Sequence, residues 1–164
     1  MAVIEGRHLG KRLEGALHAK GPLAAFVVNQ ASRDYMTAVR GGGAYRNGQR
    51  VQPSTRTRVE DAVVGLAGLP ARILPWRQFR ALGSAALSLC DVASGGLDGY
   101  VDGGHSHAPW DYLGGLLMCT EAGATVVDHA GQPLVTTAAS ARRQLIAAGT
   151  PQLVEALRSA AGRR

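Results

Sequence analysis

What most constrains the fold is a change of hydrophobic period: strand-length apolar blocks run up to residue 52, and after residue 60 such blocks alternate with helix-length ones. Leu23-Ala24-Ala25-Phe26-Val27-Val28 and Tyr35-Met36-Thr37-Ala38-Val39 flank a polar turn from Asn29 to Asp34 and predict a β-hairpin. Ala44-Tyr45-Arg46 and Arg50-Val51-Gln52 flank Asn47-Gly48, a dipeptide that accepts the positive φ angles of a type I′ turn, and predict a second. Ahead of these, Ala2-Val3-Ile4 has strand character and Lys11 to Ala19 has helical character.

Beyond Pro53 the pattern predicts a buried strand at Ala62 to Leu66 and a loop carrying Pro70 and Pro75. A helix over Ser84 to Ala93 follows, stopped at Gly95-Gly96, and then a strand over Leu97 to Val101. The segment from Asp111 to Ala122 reads as a helix that is apolar on nearly every side, so a central position is expected. Strands at Thr125 to Val127 and Gln144 to Ala148 precede a closing helix from Pro151 to Ala160. The expected architecture is α/β, with antiparallel hairpins followed by a mixed α/β layer. The 164 residues, 46% hydrophobic and 18% charged, suit one domain over the whole length. The β-rich start is too short to close its own sheet, so its edges need covering.

Several classes are excluded. Apolar runs such as Leu23 to Val28 fall far short of the roughly 20 residues a membrane span needs. The first residues lack a basic segment followed by an apolar one, so no secretory signal is expected and cytoplasmic residence is the default. Cys90 and Cys119 are too few for a disulfide framework or a four-ligand zinc site and are expected as buried free thiols. The net charge of +6 would permit nucleic-acid binding through counterion release. Its carriers are nearly all arginines scattered through Arg33, Arg46, Arg56, Arg72, Arg80 and Arg142, with no basic helix or aromatic ladder, so no nucleic-acid partner is expected.

The densest polar constellation runs from Asp98 to Asp111, where a strand ends, a glycine loop turns and a helix begins. A carboxylate at such a helix entrance can hold a hard divalent cation, while backbone amides and the helix dipole favour a phosphate bound to it. Asp111 is the ligand candidate; the alternative is a cap or dipole partner for the helix. His105-Ser106-His107 with Asp111, and His129 beyond, also has a crude zinc-ligand spacing, against which stands a solvated glycine-flanked loop. Glu121 and Asp34 are expected in structural or solvated roles.

Gly83-Ser84-Ala85-Ala86-Leu87, Leu97-Asp98-Gly99-Tyr100, and Pro109-Trp110-Asp111 followed ten residues later by Glu121-Ala122-Gly123 resemble, in order and spacing, the C-terminal signature of the inositol monophosphatase family. Gly41-Gly42-Gly43-Ala44-Tyr45-Arg46-Asn47-Gly48 resembles the glycine-rich hairpin that precedes it, and the resemblance spans about residues 23 to 158. It implies a partial layered αβαβα sandwich, usually dimeric, and a magnesium-dependent phosphomonoesterase acting on an inositol or sugar phosphate. Asp111 matches the family's metal-binding aspartate. Gly83, Ser84 and Ala85 match a substrate-contacting turn, whose alternative reading is a small-residue turn that lets a helix pack closely. Asp102 falls where the family often has an acidic residue on substrate hydroxyls, although the loop to Asp111 is longer here.

The departures are as informative. The family's other metal ligands lie in a Gly-Glu-Glu segment and an Asp-Pro-x-Asp-Gly-Thr segment, and neither string occurs in this sequence. Metal-assisted hydrolysis needs several carboxylates converging on the cations. The expectation is therefore the substrate-side part of a phosphatase, incomplete or weakly active alone, that binds a phosphorylated small molecule and works as a homo-oligomer or with a complementary chain. The alternative is a non-catalytic binding or assembly protein built on the same fold.

Overall fold

In the computed structural model, which describes residues 2–3, 21–70, 72–104 and 106–160, the alternation of periods becomes two sheets with helices between and beyond them. The first sheet is antiparallel, in the order β1 (Ala2–Val3), β2 (Ala24–Val28), β3 (Tyr35–Val39), β4 (Gly43–Arg46), β5 (Gln49–Arg50). Asn47 and Gly48, with φ of 51° and 81°, form the left-handed pair that joins β4 to β5, and Arg46 faces Gln49 across them. The last arm is shorter than the sequence suggests. The helix read at 11–19 lies outside the described residues.

The second sheet runs β7 (Gln78–Arg80), β6 (Val63–Ala67), β8 (Gly99–Asp102), β10 (Leu145–Ala148), β9 (Thr125–Asp128). Strand β6 is parallel to both neighbours, and β10 is antiparallel to β8 and β9. Strand β7 is a correction to the proline-rich loop expected there. Its three residues are all exposed and only Phe79 is apolar, so no period announces it. Pairing with the backbone of β6 is what makes it a strand.

Helices α1 (Ala85–Ala93) and α2 (Pro109–Ala122) pack together between the two sheets. Below them lie Ala25, Val27, Met36 and Ala38 of the first sheet; above lie Tyr100, Leu145 and Ala147 of the second. The alternate residues Val101, Ile146 and Ala148 turn to the far face and meet Leu153, Val154 and Leu157 of α3 (Pro151–Arg158). The described residues thus give four layers, sheet, helix pair, sheet and helix, of the expected αβαβα order. No helix among them is long and apolar enough to cross a membrane.

Two features fix the helix pair. A Cβ on Gly115 of α2 would lie 2.6 Å from Cβ of Leu89 on α1, so only glycine permits this approach. At the other end of α2, Glu121 accepts hydrogen bonds from the amides of Gly41 and Gly43, both at 2.9 Å, and ties the helix to the β3–β4 turn. That settles Glu121 as a structural residue. Both cysteines are buried and free, on α1 and α2. Burial, reinforced by the Asp91 charge, pushes the Cys90 thiol up to about 12, and burial also raises that of Cys119.

Gly115→Ala gains helix propensity of about 1 kcal/mol but overpacks the crossing by about 1–3 kcal/mol. The expected result is a melting temperature lower by a few degrees; a higher one would show that the helices do not meet there. Raised thiol pKa values leave almost no thiolate at pH 8, so a disulfide reagent should label neither cysteine in the folded chain and both in denaturant. Rapid labelling without denaturant would contradict the packing of this layer.

Candidate functional site

The beginnings of the two central helices are built by local sequence. Gly83, with φ of 73°, turns the chain into α1, and Ser84 follows in extended geometry as the N-cap. Its Oγ accepts from the Leu87 amide at 3.3 Å. The amides of Ala85 and Ala86, the first two of the helix, have no hydrogen-bond partner among the described residues. Helix α2 begins at Pro109, where a missing N–H costs nothing. This start lies two residues before the one the sequence suggested, so Asp111 sits in the first turn rather than at the boundary. Its Oδ2 accepts from the Ala108 amide at 3.0 Å, so the capping role is real. Oδ1 has no partner among the described residues.

Both helix starts open on one cavity of about 330 Å³, lined by Gly83, Ser84, Ala85, Ala86, His107, Trp110 and Asp111. The predicted turn Gly83 to Ala85 and the predicted ligand Asp111 are therefore brought together. Two helix N-termini bring partial positive charge to the same space, and unpaired amides are ready donors for an anion's oxygens. At the rim the Arg142 guanidinium lies 5.6 Å from the centre of the Trp110 ring. The Asp111 carboxylate sits among these positive groups, so a cation can share the cavity with an anion.

Asp102 is placed differently. It ends β8, is completely buried, and does not line the cavity. Its carboxylate accepts from the amides of Gly104 and Ser106, both at 2.9 Å, and so holds the loop that leads to α2. That loop includes Ser106 at φ 56°, a left-handed conformation uncommon outside glycine. It returns His107 to the sheet, where the His107 and Arg143 backbones exchange two hydrogen bonds of 2.7 and 2.9 Å. His107 Nε2 then lies 2.8 Å from Tyr100 Oη and 3.6 Å from Asp102 Oδ2.

Of the histidine spacing, the described residues bring His107 alone to the cavity. His105 lies outside the described residues, and His129, just past β9, does not line the cavity. Among the described residues no group of three or more His, Cys, Asp and Glu could hold a metal ion. Asp34 stays in its exposed turn, where hydrogen bonds from Asn47 and then Ser32 hold its carboxyl below the usual carboxylate range. Sequence reading missed Tyr100 as a partner of the cavity wall. The available signal was its position two residues before Asp102, which puts both side chains on one face of the strand.

The model of the inositol monophosphatase family matches residues 15–162. The chain is 36% identical over 132 residues to the inositol-1-monophosphatase of Mesorhizobium japonicum, covering 71% of this chain and 48% of that one. It is 33% identical over 158 residues to Nus factor SuhB of Escherichia coli strain K12, covering 87% and 56%. A solved structure from Pyrococcus horikoshii, described as having similarities to inositol-1 monophosphatase, superposes with a TM-score of 0.76 at 25% identity, over 89% of this chain and 60% of that one. The chain thus spans about half the length of the relatives it matches by sequence.

Proposed function

This chain belongs to the inositol monophosphatase family, and from that premise we propose that its cavity binds the phosphate ester of a small polyol, an inositol or sugar phosphate, as part of a phosphomonoesterase site. The observation that carries the reading is the convergence of two helix starts on one open cavity, with the amides of Ala85 and Ala86 and one oxygen of Asp111 unpartnered among the described residues. In this reading the Ala85 and Ala86 amides take phosphoryl oxygens, and Gly83 and Ser84 shape the turn that presents them. Asp111 bears on a cation that neutralises the phosphate.

Magnesium, which the family resemblance implies, takes six oxygen ligands in near-octahedral order, typically one or two carboxylates with waters and phosphate oxygens. Asp111 is the one carboxylate on the cavity wall among the described residues. A single carboxylate can anchor a phosphate-bound cation but does not fit a centre that must also activate a water. No hydrolytic step is therefore assigned to the described residues. Turnover in this reading requires carboxylates from outside them, in a longer protein or on a complementary chain. Buried free thiols accord with a cytoplasmic setting.

A second reading, a non-catalytic assembly protein, is favoured by that same single carboxylate and by the likeness to a relative named as a Nus factor. Self-association accords with both readings, because Phe79 is exposed on β7, which ends its sheet among the described residues, and Leu69, Ile73 and Leu82 are exposed in the segments on either side in sequence.

Calorimetric titration with myo-inositol 1-phosphate in excess magnesium should show binding. Asp111→Asn should weaken it about tenfold, the scale of one charge-assisted interaction. Equal affinity in the variant would remove Asp111 from this role. Phosphate release by the chain alone should be slight; its complete absence with binding retained would favour the assembly reading. Native mass spectrometry should show species heavier than the 17.1 kDa chain, and a purely monomeric spectrum would count against self-association.

A further inference from the structure

Asp102 was the residue expected to meet ligand hydroxyls, yet its carboxylate is fully buried and engaged by the amides of Gly104 and Ser106. The side chain that stands between it and the cavity is His107, only 16% exposed and part of the cavity wall. Its ring is held from behind. Tyr100 is 1% exposed, and the hydrogen bond its hydroxyl makes is the one to His107 Nε2 at 2.8 Å. Burial first, and the Asp102 and Asp111 charges after it, push the Tyr100 hydroxyl up, so it keeps its proton. A buried hydroxyl proton without an acceptor is costly, and His107 Nε2 is the acceptor within reach. A neutral imidazole that accepts at Nε2 carries its proton on Nδ1. Nδ1 has no hydrogen-bond partner among the described residues.

We propose that His107 is a ligand-reading residue of this cavity: Tyr100 fixes its ring so that Nδ1–H donates to an oxygen of the bound phosphate ester. The inference rests on the ester-binding reading and adds to it a specificity residue, with Tyr100 as its positioning residue. The motif resemblance puts the hydroxyl-reading role on a carboxylate; here a donor stands in that place, which selects for ligand oxygens that accept.

The test uses the full chain, labelled with nitrogen-15, and long-range imidazole proton–nitrogen spectra. Wild type should show His107 as the Nδ1–H tautomer, and Tyr100→Phe should shift it toward a mixture, which a merely space-filling ring would not do. Titration with myo-inositol 1-phosphate and magnesium should move the Nδ1 signal. His107→Phe should weaken the ester about tenfold, the loss of one hydrogen bond to an otherwise unpaired acceptor. His107→Asn should recover most of that loss, because its amide nitrogen falls close to the position of Nδ1. Inorganic phosphate serves as the second probe: a loss shared with the ester assigns a phosphoryl oxygen, and a loss confined to the ester assigns a hydroxyl.

An Nε2–H tautomer in wild type overturns the proposal whether or not the variants fold. So does wild-type affinity in His107→Phe; if Asp111→Asn has meanwhile lost binding, the ester-binding reading stands and only the role of His107 falls. No ester binding by the unaltered chain overturns both.

Discussion

Helix α2 is apolar on nearly every side, and it is buried with α1 by placing a sheet against each face of the pair. The rest of the molecule is arranged around that burial. The antiparallel sheet covers one side with Ala25, Val27, Met36 and Ala38, and the mixed sheet covers the other with Tyr100, Leu145 and Ala147. Burial of this apolar surface is the dominant favourable term, on the order of 25 cal/mol per Å². Small residues decide how close the layers come. Gly115 lets α2 rest on Leu89 of α1, and Gly99 in β8 leaves room for Leu157 of α3, whose Cδ1 would lie 2.6 Å from an added Cβ.

The cavity is a by-product of that layer. Helices sealed between two sheets must start somewhere, and their first amides cannot all be satisfied internally. Ser84 caps one amide of α1 and the Asp111 carboxylate meets the Ala108 amide at α2, which leaves a few donors and one carboxylate oxygen without partners among the described residues on the same side. The same side chains that stabilise the helix ends therefore define a place suited to an anion with a cation. Capping engages one oxygen of Asp111, and the other has no partner among the described residues.

Buried carboxylates do structural work elsewhere at the ends of strands. Asp102 at the end of β8 and Asp128 at the end of β9 each accept from backbone amides of the loop that follows, Gly104 and Ser106 in one case, Ala130 and Gln132 in the other. Asp98 does the same for the Val63 amide at 2.7 Å. Each replaces lost hydration with charge-assisted hydrogen bonds, which is how an ionisable group stays inside an apolar frame. An aspartate that ends a strand in this chain thus shapes the loop beyond it, as Asp102 does for residues 104–106.

By itself the sequence determined the local elements: hairpins from apolar blocks and Asn47-Gly48, the first helix from Ser84 onward, the second to within two residues of its start, and the family from the spacing of Trp110-Asp111 and Glu121. These are properties of neighbours a few residues apart, and the backbone obeys them wherever the segment ends up. Strand β7, the burial of Asp102 and the seating of His107 on Tyr100 were decided only by tertiary structure. Each depends on which strand lies beside which, on a pairing between segments far apart in the chain, and on a loop geometry that hydrophobic period does not encode. The convergence of two helix starts on one cavity belongs to the same class, since residues 83 and 111 meet only after both helices have been packed between the sheets.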